Sequence, residues 1–509
     1  MYFNSLQFLF IFLPITVFGF YLIGGRGHHR IALSWLVGAS FFFYGCWNPA
    51  YVSLLLGSIL FNYAIGIALS ENRRKETLII GVTANLGLLI YFKYTNFFVE
   101  NINALIGSDI VFDQIILPLA ISFYTFQQIT YLVDSYNGET EVHSFLHYCI
   151  FVTFFPQLII GPIVHHREML PQFAKDTVYK LKAENITLGL ILVIIGLFKK
   201  IVVADGIAGY ANPIFQVAES GGNLTFFAGW GGTLAFTFQL YFDFSGYTDT
   251  AIGLARMFGI VLPLNFFSPH KAHNVAEFWR RWHMTLSRLI RDYLYYPVTL
   301  LLTRYAASSN CGPISRFILI VFSPIIFTFF WVGLWHGAGW TFVAFGIVHG
   351  SYLVTYHLWV KYKYHNPSIK VIKAPAVAFA LGQVITFIVV SASYVIFRAE
   401  SINGAGTMLQ AILGINGFFI PELINYKLIA ILCLLLFIVF FMPSTQEFLQ
   451  KYQPALNIYS GKAKPKIYHK FLQYGPNNLA HNFLIVLMLF LIIFEMLFSE
   501  PAEFLYFNF

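Results

Sequence analysis

FWVGLWHGAGW, residues 330 to 340, places one histidine, His336, in a turn between two long apolar runs. Upstream, Phe317 to Trp335 is apolar apart from Ser323 and Thr328, and downstream Trp340 to Trp359 is nearly as apolar. Runs of this kind read as helices that cross a membrane, and Gly337 and Gly339 supply backbone freedom for the chain to reverse direction. His336 is therefore expected at a helix junction inside a membrane. An ionisable side chain is costly to leave unpartnered there and marks function by default. The plain alternative is a histidine that only hydrogen-bonds within a helical bundle.

The composition agrees with lipid as the solvent. Of 509 residues, 58% are hydrophobic and 11% are charged, against roughly 25% charged in an ordinary soluble domain. The expected fold class is an all-α polytopic membrane protein with about a dozen transmembrane helices, plus re-entrant and amphipathic segments. The first apolar run, from Leu6 to Ile23, has no Lys or Arg before it and reads as a retained helix, not a cleaved signal. Cys46, Cys149, Cys311 and Cys433 form no C-x-x-C pair, which argues against a zinc site or a disulfide framework. The net charge of +8 comes from short loops between apolar runs, where it sets topology, so no nucleic-acid partner is expected.

The loops alternate in charge. GRGHHR (25 to 30) and ENRRKE (71 to 76) are basic, whereas Glu100 to Asp113 carries only acids. The positive-inside rule puts the amino terminus outside the cytoplasm, Arg73, Lys363 and Lys464 within it, and Asp109 and Glu503 opposite. One integral-membrane domain is expected over 1–509: amino-terminal spans (1–113), a core (114–360) and carboxy-terminal spans (361–509).

Within the core, LPLAISFYTFQQITYLVD (117 to 134) is too polar to face lipid, and FFPQLIIGPIVHHREMLPQF (154 to 173) is broken by Pro156, Gly161 and Pro162. Both belong against protein or around a cavity. The run from 226 to 243 leads into Gln239, Tyr241, Asp243, Ser245 and Asp249, too many polar groups for a lipid face. The carboxylates are expected either to pair with neighbouring Lys or Arg or to serve chemistry. NVAEFWRRWHMTLSRLIRDYLYYP (274 to 297) reads as one amphipathic helix, with Arg280, Arg281, Arg288 and Arg291 on the polar half and His283 at the border. Such a face meets either anionic lipid head groups or a phosphate-bearing donor. His270 and His273 are three apart, and no metal is expected there.

Four blocks, in order, resemble the membrane-bound O-acyltransferase family: FFPQLIIGPI (154 to 163), FQLYFDFSGYTDTAIGLARMFG (238 to 259), EFWRRWHMTLSRLIRDYLYYP (277 to 297) and GLWHGAGW (333 to 340). The carboxy-terminal spans make the chain most similar to the bacterial branch that O-acetylates polysaccharides. The resemblance implies a ring of helices around a central tunnel, with the donor on the cytoplasmic side and the acceptor outside. It implies His336 as the catalytic residue and His283 as a second essential histidine. It also implies no permanently bound cofactor, acetyl-coenzyme A or another acyl thioester as donor, and an exported glycan as acceptor. An extracytoplasmic acetyltransferase or esterase-like partner and the bacterial inner membrane complete the expectation. In this reading His336 is a general base, near-neutral imidazole suiting that task. Arg280, Arg281, Arg288 and Arg291 meet the donor, and Gln239, Tyr241, Asp243 and Ser245 line the tunnel. The rival readings are D-alanyl transfer toward teichoic acid, a transporter, and a non-catalytic scaffold.

Overall fold

In lipid, every backbone N–H and C=O must be satisfied within its own segment, which leaves helix as the economical solution for a chain this apolar. The computed structural model describes residues 1–111, 113–140, 144–309, 311–366, 374–456, 475, 478–499, 502, 504 and 505. Among these the regular elements are helices, with one isolated β-bridge between Pro263 and Leu456. Six helices are long and apolar enough to cross a membrane: Ala50–Glu71, Lys75–Ile106, Ala183–Glu219, Pro313–His336, Pro375–Arg398 and Leu479–Phe498. Phe8–Gly24 and Tyr426–Phe441 are shorter apolar helices. Lys464 and Glu503, two of the residues that carry the topological reading, lie outside the described residues.

The chain separates into two compact units. The first holds α1 (Leu13–Gly24), α2 (His29–Gly45), α3 (Ala50–Glu71), α4 (Lys75–Ile106), α5 (Ile121–Asn137), α6 (Phe145–Thr153), α7 (Phe155–Leu158), α8 (His166–Phe173) and α9 (Ala183–Leu197). The second begins with α10 (Asp205–Glu219) and takes α11 (Phe226–Met257) as far as Asp243. It continues with α12 (Val275–Arg281), α13 (Met284–Ile290), α14 (Tyr296–Ser308), α15 (Pro313–Phe317) and α16 (Ser323–His336). It then takes α17 (Trp340–His365), α18 (Pro375–Arg398), α19 (Ile402–Ile412) and α20 (Tyr426–Phe441). The remainder of α11, α21 (Thr445–Phe448) and α22 (Leu479–Phe498) return to the first unit.

In the first unit the polar segment 117–134 is buried against protein, as its composition demands. Gln128 on α5 donates to Ser58 Oγ at 2.9 Å and accepts from the Tyr148 hydroxyl at 3.2 Å. The prolines and glycine after residue 154 break the chain into α6, α7 and α8. The end of α11 lies backbone to backbone on α9: a Cβ at Gly246 would come 2.6 Å from the Gly196 carbonyl oxygen, and one at Gly253 equally close to that of Gly189. Small residues are what permit such an approach. Beside this crossing, Asp249 accepts from Lys199 Nζ at 2.7 Å, Thr445 Oγ1 at 2.7 Å and Gln446 Nε2 at 3.0 Å. That carboxylate is held by an ion pair and two hydrogen bonds.

The second unit corrects the reading of 274–297 as one helix. It is α12, a break, α13, a π-helical turn from Arg291 to Tyr295, and then α14. Trp282 is extended, and His283 adopts the left-handed region at φ 44°. The break is held from outside the helix, because Phe267 N–H donates to the Arg281 carbonyl at 3.0 Å and Met284 N–H to that of Asn265 at 2.9 Å. Periodicity cannot register such a bracket, since both flanking helices keep the 3.6-residue pattern.

Candidate functional site

The hairpin of α16 and α17 fixes His336. Its helices cross in direct contact at Gly333 and Gly346, where a Cβ on either glycine would run into the backbone of the other helix. His336 is the last residue of α16 and is buried. Gly337 and Gly339 are both extended, at φ −166°, so the expected role of unusual backbone freedom is not what they supply. A Cβ at Gly337 would overlap the Phe342 ring. This glycine is required for close approach.

Around His336 the rings of Trp335, Phe397 and Phe345 lie at centroid distances of 4.9, 5.2 and 6.1 Å. Trp335 also touches His283 at 6.0 Å. The two histidines singled out by sequence therefore meet on one indole, although 53 positions apart would give no such hint.

His283 is buried and oriented by Asn265, a residue that sequence reading did not single out. Asn265 Oδ1 accepts from the Thr285 backbone N–H at 3.3 Å and from Thr285 Oγ1 at 2.9 Å, and lies 3.0 Å from His283 Nδ1. An amide oxygen bears no hydrogen and can only accept, so Nδ1 carries the ring proton and Nε2 is the acceptor nitrogen. Burial pushes the protonation of His283 and of His270 down to about 3, which keeps both imidazoles neutral at physiological pH.

The arginines expected on one helix face sit on three segments, Arg280 and Arg281 on α12, Arg288 on α13 and Arg291 in the π-helical turn. Arg281 is committed to Glu277, with Nη2 at 2.6 Å and Nε at 3.0 Å from Oε1. Arg291 pairs with Asp292 and lies over the Tyr296 ring. Arg280 is exposed, its Nε donating to the Ala276 carbonyl at 3.3 Å, and Arg288 is partly exposed on α13. Gln239, Tyr241 and Asp243 are buried in the second unit, with the Tyr241 ring 4.8 Å from that of His270. Ser245 is buried in the first unit.

One group among the described residues has metal-ligand chemistry: Asp134, His165 and His166 in the first unit, with candidate atoms within 4.8 Å of one another. Its geometry favours a proton. His165 Nε2 lies 2.7 Å from Asp134 Oδ2, shorter than the roughly 3.3 Å between two ligands of one tetrahedral zinc. Its Nδ1 accepts from Arg167 N–H, so Nε2 bears the hydrogen, and the Arg167 guanidinium is 3.8 Å from the same carboxylate oxygen. His270 and His273 form no such group; His273 pairs with Glu277.

A buried pair of histidines on one indole suits proton transfer at a reacting group shielded from water. The model of the MBOAT, membrane-bound O-acyltransferase, family matches residues 80–395. The chain is 41% identical to a peptidoglycan O-acetyltransferase of Helicobacter pylori over 449 residues, covering 82% of this chain and 80% of that protein. It is 36% identical to a probable alginate O-acetylase of Pseudomonas aeruginosa over 433 residues, covering 83% and 77%. A teichoic acid D-alanyltransferase of Bacillus subtilis matches at 28% over 286 residues, 55% of this chain and 69% of that protein.

Proposed function

Because this chain belongs to the membrane-bound O-acyltransferase family, and is thus a multi-pass membrane enzyme that transfers acyl groups to oxygen, we propose that it moves acetyl from a cytoplasmic thioester, acetyl-coenzyme A, to a hydroxyl on the far side of the bacterial inner membrane for O-acetylation of an exported glycan. The relatives act on peptidoglycan and alginate by name, and a glycan of that class is the final acceptor. The observation that carries the mechanism is His336 closing α16 inside a buried ring cluster, with Trp335 between it and His283.

His336 takes the proton of the attacking hydroxyl as its oxygen bonds to the thioester carbonyl carbon. The carbon–sulfur bond then breaks, the imidazolium returns the proton to the leaving thiolate, and an ester and a thiol result. His283, neutral and held by Asn265, orients the reacting partners. Arg280 and Arg288 supply charge toward the donor's phosphates, and Gln239, Tyr241 and Asp243 line the path, with Ser245 as a further lining residue. Residues 114–360 form the catalytic core of one integral-membrane assembly whose amino terminus is extracytoplasmic. An extracytoplasmic acetyltransferase or esterase-like partner receives the acetyl group first and passes it to the sugar; its hydroxyl is then the immediate acceptor.

The test is His336→Ala in membranes containing the partner. The variant is expected to insert and to co-purify with the partner while base-releasable acetate on the glycan disappears. Full acetylation by the variant removes His336 from the mechanism, and glycan acetylation by the purified wild-type chain alone removes the relay.

A further inference from the structure

His349 lies 13 residues beyond His336 on α17, is fully buried, and packs on the same Phe345 ring at 4.4 Å. Its Nε2 is 2.8 Å from Ser393 Oγ on α18, and that hydroxyl donates its single proton to the Val390 carbonyl at 2.6 Å. Ser393 therefore accepts from His349, Nε2 bears the ring hydrogen, and Nδ1 presents a lone pair. Among the described residues that Nδ1 has no hydrogen-bond partner. The ring of Trp279, on α12, meets it at 5.2 Å and 83°, and the Trp279 Nε1–H is likewise buried and unpartnered. Two touching rings thus leave one acceptor and one donor unmet, in a place where each costs free energy until it is satisfied.

We infer that Trp279 and His349 bind a secondary amide of the thioester donor, Trp279 Nε1–H donating to the amide carbonyl and His349 Nδ1 accepting the amide N–H. An amide carries one donor and one acceptor, the complement of what the rings offer. In a pantetheine-type thioester the first amide stands two methylenes beyond the sulfur, and His349 stands one ring beyond His336 across Phe345. This rests on the thioester reading given above. The two side chains are binding residues for the donor; neither takes part in the bond changes.

The experiment compares two small donors in membrane vesicles that carry the full chain and its acceptor: the acetyl thioester of N-acetylcysteamine, which keeps one amide, and that of propanethiol, which has none. Wild type should prefer the first. His349→Asn, which keeps a polar atom where Nδ1 stands, should retain that preference. His349→Gln, which keeps a donor toward Ser393 but places nothing at Nδ1, should lose it through a fall of about tenfold in kcat/KM for the amide donor only, as should Trp279→Phe. Equal losses with both donors, or rescue by Gln and not Asn, would mean that His349 serves packing through Ser393 and would overturn the assignment. Failure of wild type to use either thioester would instead strike the donor reading itself.

Discussion

Two buried polar clusters sit in this apolar chain, and they are built on opposite principles. Around Asp249 the charge is met by a cation and two further donors: Lys199, Thr445 and Gln446 converge on one carboxylate. Around Phe345 the polar groups are single nitrogens on aromatic rings, spaced by hydrocarbon, and His349 Nδ1 and Trp279 Nε1 have no partner among the described residues. A buried carboxylate paired with a cation resists change and holds helices in place. A cluster with unmet hydrogen-bonding groups is costly to keep unless something binds there. The difference separates a structural ion pair from the proposed reaction centre, although both began as interruptions of membrane-like sequence.

The comparison breaks first at His336. Replacing it with alanine should lower acetyl transfer by roughly 100-fold or more, the scale of general-base catalysis, with the melting temperature little changed. If melting falls as far as activity, the ring cluster is merely another structural core. Next comes Asp249→Ala, which strands the Lys199 charge and should destabilise the protein by about 3–5 kcal/mol, read as loss of the monodisperse peak in detergent. Pairing Lys199→Met with Asp249→Leu should restore much of that peak, and the recovered protein should turn over normally.

A gentler probe is acid. The unfolded chain protonates its histidines near the ordinary value of 6.5, whereas native His283 and His270 resist to about 3. The unfolded state therefore binds more protons as pH falls below 6.5, so native stability is complete above that value and declines below it, by up to about 1.4 kcal/mol per pH unit for each histidine. Thermal melts from pH 7 to 5 should slope accordingly, and His283→Gln should flatten them; an unchanged slope in that variant would show that His283 does not stay neutral. The smallest contrast is between neighbours. Arg280→Glu should shift stability by no more than ~0.5 kcal/mol, as exposed substitutions do, while raising the apparent KM for the donor. Arg281→Glu opposes Glu277 and should lower the melting temperature instead.

Much of this was legible in the residues. Apolar run length gave the membrane class, and the WHG turn and the RRWH block gave two histidines that the structure joins on Trp335. What escaped was whatever depends on a distant segment. The helix break at His283 is bracketed by Asn265 and Phe267, so the continuous 274–297 pattern concealed it and concealed that the four arginines lie on three separate segments. Gly337 looked like a hinge and is a gap for Phe342. His349 gave no signal because one histidine in an apolar helix has no spacing rule, and only Ser393 and Trp279 reveal its tautomer and its unmet nitrogen.

The left-handed backbone at His283, φ 44°, is a local strain set against the packing of its own side chain. A side chain there costs roughly 1–2 kcal/mol that glycine would not, but His283→Gly would empty a buried ring site beside Trp335 and take one partner from Asn265, a loss of about 2–5 kcal/mol, so selection for heat resistance alone keeps the ring. Ala120, in the same region at φ 62°, has no ring to lose. Directed evolution for a sturdier enzyme can collect the gain at residue 120, and must leave residue 283 strained.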